Sequence, residues 1–303
     1  MAIIGTGWSG SGALIDVLKQ QSLWSGYPYE LDFWRRHNGL NDSRTVPDLF
    51  RFFFQEFLHA VIVILKTCCK MLVRPFACND HLASIAVEGK MAVLMCAYAF
   101  FALLRPDVHR VKTNFVKGLK FAFGSKRRVF VYDQALFVEQ IETSNLEPLN
   151  VGACIIIVRD VFDQMEDMAR QSTLLPARTI REAFFVGAKS GLGDESDGLQ
   201  MELMLHALRH RIRKVGRLAR MYPKSLLILK FEDLVLNTED AISQVNRFLG
   251  ERGFPASFID ADDAASTLVE SKQNIGIGNE RKWAQLKLME EINDEINRLV
   301  TED

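Results

Sequence analysis

Glycines 5, 7, 10 and 12 alternate with Thr6, Trp8, Ser9 and Ser11 near the start of this chain. A short apolar run, Ala2 to Ile4, precedes them, and Ala13, Leu14, Val17 and Leu18 follow at helical spacing. A glycine-rich turn between a strand and a helix builds an anion site: its N–H groups converge, and the helix N-terminus adds partial positive charge. Thr6, Ser9 and Ser11 add hydroxyl donors. The chemistry expected here is the holding of a nucleotide phosphate, and the alternative is a plain strand-to-helix turn. Spacing leaves the nucleotide open. Gly5 and Gly10 match the ATPase-type loop, but Ser11 and Gly12 occupy its Lys and Ser/Thr places. Gly5, Gly7 and Gly10 also fit a dinucleotide fingerprint, although no single acidic residue ends a clear second strand at the required distance.

Three further polar groups close apolar runs. Asp133-Gln134 follows Arg128 to Tyr132, Arg159-Asp160 follows Val151 to Val158, and Glu232-Asp233 follows Leu226 to Phe231. The planar fork of Arg159 suits a phosphate, with the capping of a neighbouring helix as the alternative. Glu232 and Asp233 are expected to cap helices and brace loops. Arg209, His210, Arg211, Arg213, Lys214, Arg217 and Arg220 form the largest basic cluster, read as a solvated helix face, with a docking stripe for an anionic acceptor or anionic lipid as the alternative.

These groups need a scaffold that gathers strand ends. Val151 to Val158 is almost unbroken apolar, as in a buried parallel strand. Strands separated by helices predict an α/β fold with a central parallel sheet flanked by helices and right-handed crossovers. Helices are expected at 137–147 and 199–221, with Asn237 or Thr238 capping the one that follows. The stretch 46–117 reads as several helices broken at Pro75 and Pro106, an insertion within a single domain spanning 1–303. Its apolar segments, Leu58 to Leu65 and Met91 to Leu104, are too short to span a membrane and read as buried core helices, with an apolar acceptor pocket or peripheral membrane contact as the alternative.

The 303 residues are 48% hydrophobic and 25% charged, ordinary for a globular protein with a sizeable core. A net charge of −1 argues against a dedicated nucleic-acid binder. Cys68, Cys69, Cys78, Cys96 and Cys154 show neither C-x-x-C nor metal spacing, so free thiols in a reducing, cytoplasmic setting and no metal are expected.

Taken together, the chain resembles the sulfotransferases that use 3′-phosphoadenosine 5′-phosphosulfate (PAPS), nearest their carbohydrate-modifying and bacterial branches. Gly5-Thr-Gly-Trp-Ser-Gly-Ser11 resembles the 5′-phosphosulfate loop. Ile155-Ile-Ile-Val-Arg159-Asp-Val-Phe-Asp163 resembles the 3′-phosphate motif. Leu226 to Leu234 with Arg247-Phe-Leu-Gly250 resembles the family's R-Y-E-D-L … F-L-G strand and helix, and Ser271-Lys-Gln-Asn-Ile-Gly276 the loop that closes over the nucleotide.

The resemblance implies a P-loop-like sulfotransferase fold and sulfuryl transfer from PAPS, without a metal, to a hydroxyl of a carbohydrate or glycolipid. It implies donor contacts from Gly5, Thr6, Gly7, Trp8, Ser9, Gly10, Ser11, Gly12, Arg159, Lys272, Asn274 and Gly276. Glu30 is the first candidate for the base, with His37 in reserve and Asp133 third. The departures are informative. Trp8 stands where the family has Arg or Lys, Val161 replaces a proline, and Asp167 stands in the place of a 3′-phosphate serine, a role that passes to Gln171 or Ser172. Lys272, Lys120 and Arg281 are the candidates for the missing cation. The rivals are an ATP- and magnesium-dependent small-molecule kinase and a catalytically inactive nucleotide binder.

Overall fold

The computed structural model describes residues 1–6, 9–21, 24–26, 39–40, 43–73, 78–105, 107–124, 129–133, 138–141, 149, 151–172, 197–254, 259–279 and 283–301. The chain divides into two compact units. One comprises Met1–Leu31, Lys126–Ile141 and Val151–Asp303, and the other Asp32–Ser125 with Glu142–Asn150.

The first unit is built on a five-stranded, all-parallel sheet of order β2-β3-β1-β4-β5. Its strands are β1 (Ala2–Gly5), β2 (Trp24–Gly26), β3 (Val129–Asp133), β4 (Cys154–Val158) and β5 (Leu226–Lys230). The most apolar strands take the middle because both of their faces are covered: every residue of β1 and β4 is buried. Their register sets Gly5 opposite Ile157, and β4 sets Val158 opposite Lys230.

Helices cover both faces, and the alternation along each strand decides which. Ile3, Ile155, Ile157 and Leu229 point into a core with α1 (Ser11–Gln20), α7 (Phe231–Leu236), α8 (Thr238–Gly250) and α9 (Ala261–Thr267). Val158 and Ile228 meet the opposite core, made by α5 (Val161–Ser172), α6 (Asp197–Met221) and α10 (Leu286–Thr301). Each helix buries one stripe at three- and four-residue spacing, such as Leu14, Val17 and Leu18 in α1 or Met289, Ile292 and Ile296 in α10. The chain leaves β1 toward the β2 side of the sheet and leaves β4 toward β5, with α1 and α6 on opposite faces. The order therefore reverses between β1 and β4, the place where open parallel sheets hold ligands beyond their carboxyl ends.

The second unit holds α2 (Val46–Val73), α3 (Cys78–Leu104) and α4 (Val108–Phe123), the last running six residues beyond the expected end of the insertion. Phe53, Tyr98 and Phe115 form its aromatic centre, with ring centroids 5.2 to 6.0 Å apart. The apolar stretches are neither as short as expected, running 24 residues over Val46–Cys69 and 23 over Leu82–Leu104, nor the buried core helices expected from sequence. Only 17% of the most apolar window of α2 and 28% of that of α3 is buried, because one side of each packs and the other faces out.

Smaller departures have local causes. Trp24–Gly26, for which the sequence offered no strand, is an edge strand of three residues, too short to show alternation. Within 137–147 the described structure is a single 3₁₀ turn, Val138–Gln140, and 142–148 lies outside the described residues. Neither expected cap side chain caps α8: Asn237 donates to Asp233 and Thr238 to the Leu234 carbonyl.

Candidate functional site at the carboxyl edge of the sheet

Because the strands are parallel, Gly5, Asp133, Arg159 and Glu232 come out at one edge. The turn after β1 is held tightly. The Thr6 N–H donates to the Ile157 carbonyl (3.3 Å) and to Ser9 Oγ (3.1 Å), which leaves the Ser9 hydroxyl hydrogen as a donor. Thr6 is fully buried, and its hydroxyl has no hydrogen-bond partner among the described residues. Gly10 has φ +78°, in the left-handed region, and serves as N-cap of α1. Among the described residues no side chain caps this helix, and no acidic residue sits in its first turn. Gly12 is exposed, with open space where a Cβ would stand. A helix N-terminus with these properties favours an anion.

Gly10 is also required sterically. A Cβ there would lie 2.2 Å from Cδ2 of Phe231, the residue that follows β5. The guanidinium of Arg159 lies over the same ring, 4.9 Å from its centroid. Phe231 thus connects the turn and the arginine.

Arg159 is 2% exposed. Its Nη1 donates to Asp167 Oδ2 at 2.8 Å and its Nη2 to the Asn274 carbonyl at 2.7 Å. The helix-capping alternative is partly realised, since Asn274 ends the 3₁₀ turn Glu270–Asn274. Asp163, 2% exposed, fixes the same segment by accepting from Gly276 N–H (2.7 Å) and Gly278 N–H (3.0 Å). Gly278 admits no side chain, because a Cβ would fall 2.2 Å from the Phe162 backbone, and Trp283 donates to its carbonyl. The first turn of α5 and the segment Asn274–Gly278 therefore form one fixed wall.

Asp160 caps α5 by accepting from Phe162 and Asp163 N–H, and its other oxygen accepts from Asn293 (2.6 Å). Its N–H donates to Glu232 Oε1 at 3.0 Å. Burial pushes the Glu232 carboxyl above the usual carboxylate range, against the lowering pull of the Asp160 N–H. Glu232 braces β4 against β5, as its place after the strand suggested.

Arg211 was missed as a site residue. It belongs to the basic run read as a solvated face, yet it is 2% exposed and its Nη1 donates to the Thr6 carbonyl at 3.1 Å. Its neighbours behave otherwise: Arg209 and Arg213 turn outward to Glu295, and Arg209 also pairs with Glu291. The run is thus split between two duties. Position along α6 was the available signal, since Arg211 directly precedes the buried Ile212 and falls one turn after Leu208.

Among the other expected residues, Asp133 ends β3 beside β1, where it pairs in register with Ile3. Lys272 is exposed on the 3₁₀ turn, and Lys120 lies in the helical unit. Asp167, expected to be a poor phosphate partner, is occupied with Arg159. Gly7, Trp8, Glu30, His37 and Arg281 lie outside the described residues, as do the side chains of Gln171 and Ser172. No family model and no curated protein sequence matches this chain.

Proposed function

We propose that the chain is a PAPS-dependent sulfotransferase of P-loop-like fold, acting on a hydroxyl of a carbohydrate or glycolipid. The observation that carries this is the contact chain from Gly10 through Phe231 to Arg159, which puts an uncapped helix N-terminus and a buried guanidinium on one sheet edge at the reversal of strand order. Two anion-favouring sites on one ridge suit a donor with phosphate at both ends of an adenosine. The fit at the turn is chemical. A buried Thr6 hydroxyl with no partner among the described residues, the Ser9 hydroxyl and the N–H groups that open α1 are all donors, and phosphate and sulfonate are acceptors only. Arg211 supplies the positive charge that Trp8 cannot.

At the other end Arg159 takes the 3′-phosphate. Exchanging the Asp167 carboxylate for a phosphate replaces one anion with another, so the buried charge stays compensated. In the reaction an acceptor hydroxyl oxygen forms a bond to sulfur, and the bond from sulfur to the 5′-phosphate oxygen breaks. The acceptor proton passes to a base, for which Glu30 is our first choice. The products are a sulfate ester and 3′,5′-bisphosphoadenosine. The turn and Arg211 stabilise charge gathering on the leaving phosphate.

Thermal unfolding separates this from its rivals, because a ligand that binds only the native state raises the midpoint. We expect a rise with 3′,5′-bisphosphoadenosine, none with ATP plus magnesium, and transfer of radiolabelled sulfate from PAPS to a glycan panel. A rise with ATP plus magnesium alone assigns a kinase. A rise with the bisphosphate without transfer across the panel assigns an inactive binder.

A further inference from the structure

Ten of the fourteen large hydrophobic side chains that stand exposed among the described residues belong to the helical unit. On α2 they fall at Phe54, Leu58, Ile62 and Leu65, a single row at three- and four-residue spacing. On α3, Val93 is 73% and Phe100 62% exposed. The opposite sides of these helices are already satisfied by packing, with Phe53, Ala60, Met95 and Ala99 buried. The exposed rows are therefore surplus to the fold of the unit, and apolar surface of this extent marks an interaction site.

The same unit is basic. Between Val46 and Phe123 there are ten Lys and Arg against five Asp and Glu, in a chain whose net charge is −1. We propose that the exposed rows of α2 and α3 seat on an anionic lipid bilayer, entering the boundary between headgroups and acyl chains while the unit's exposed Arg51, Lys66, Lys90 and Arg105 meet lipid phosphates. Charge is what favours lipid over a second copy, because pairing two such units sets like charges against each other. The apolar windows Val46–Cys69 and Leu82–Leu104 have 24 and 23 residues. At 1.5 Å per residue each is about 35 Å long, enough to cross a hydrocarbon core of about 30 Å. Asp48, Arg51, Glu56 and Lys66 lie in the first window and Glu88 and Lys90 in the second, and charges inside hydrocarbon are strongly disfavoured, so the helices lie along the interface. This holds whatever the strand-end site binds.

Flotation of the full chain with vesicles tests it, comparing phosphatidylcholine alone with a 3:1 mixture of phosphatidylcholine and phosphatidylglycerol. We expect at least about tenfold more protein on the anionic vesicles, with most of it released by strong salt. The paired substitutions Ile62→Glu with Val93→Glu, and Leu58→Glu with Phe100→Glu, replace exposed side chains. Each pair should cut vesicle binding at least about tenfold while circular dichroism and the unfolding midpoint stay at wild-type values. Absence of binding to both vesicles, or unchanged binding in both folded pairs, overturns the proposal. Self-association abolished by the same pairs would assign the rows to a second copy instead. Protein that stays on vesicles through strong salt and alkaline carbonate would put the helices across the bilayer and overturn the interfacial seat.

Discussion

Substitution of Arg211 separates a charge built into the turn from a charge that merely decorates a helix. The guanidinium is 2% exposed and donates to the Thr6 carbonyl at 3.1 Å, so Arg211→Met removes two things at once. The hydrogen bond from a charged donor contributes about 1.5–3 kcal/mol to holding the turn. A unit charge roughly 6–8 Å from a phosphate seated there, at an effective dielectric of about 20, contributes about 2–3 kcal/mol to binding that anion. The second term alone weakens 3′,5′-bisphosphoadenosine binding about 30- to 150-fold by calorimetry at moderate salt. Arg211→Lys keeps the charge without the fork and should recover part of the loss. Arg213→Ala, which removes a pairing with Glu295 at the surface, should change affinity less than about threefold. A folded Arg211→Met that binds within threefold of wild type refutes the assignment. So does an equal loss in Arg213→Ala, which would reduce the effect to general charge.

Other consequences follow from the same contacts. Asp163→Ala strips the acceptors from Gly276 and Gly278 N–H and should cost about 3–4 kcal/mol in urea unfolding; a loss below about 1 kcal/mol would show that the wall stands without them. Gly10→Ala forces a side chain into left-handed backbone and against Phe231, for a loss of about 2–3 kcal/mol, and Phe231→Ala made in the Gly10→Ala background should cost less than Phe231→Ala alone. If the two losses simply add, the contact is not the cause. For Glu232, burial raises the folded-state pKa above the ordinary 4.5, so the native protein holds this proton more tightly than the unfolded chain. Its stabilising contribution is full below the unfolded value and falls as pH rises through the folded one. Glu232→Gln should flatten that decline in urea midpoints measured upward from about pH 4, and an unchanged slope would assign the decline elsewhere.

Much of the sheet was legible because its strands are apolar enough to be buried on both faces and end abruptly in polar residues. Cys154–Val158 and Leu226–Lys230 fall within the runs read from sequence, and the turn after β1 was visible in its glycines. β2 was not, since three residues paired at an edge carry no periodic signal. Arg211 was hidden by its own neighbours: a run of basic residues looks uniformly solvated until the helix is given an orientation. Arg159 was singled out by type and place, but its contact with Asp167 comes from one turn of α5 and needed coordinates. The outward rows of α2 and α3 misled in the opposite sense, because apolar composition alone does not say which side of a helix has a partner.

The proposed function requires that the β1 turn and Arg159 hold opposite ends of one adenosine-based donor. Its most direct measurement compares 3′,5′-bisphosphoadenosine with 5′-AMP by calorimetry, in wild type and in Arg159→Met. Wild type is expected to prefer the bisphosphate by at least about tenfold, and Arg159→Met to erase the preference while leaving 5′-AMP affinity within about twofold. Equal affinity of wild type for the two nucleotides, or a preference that survives in folded Arg159→Met, would contradict it.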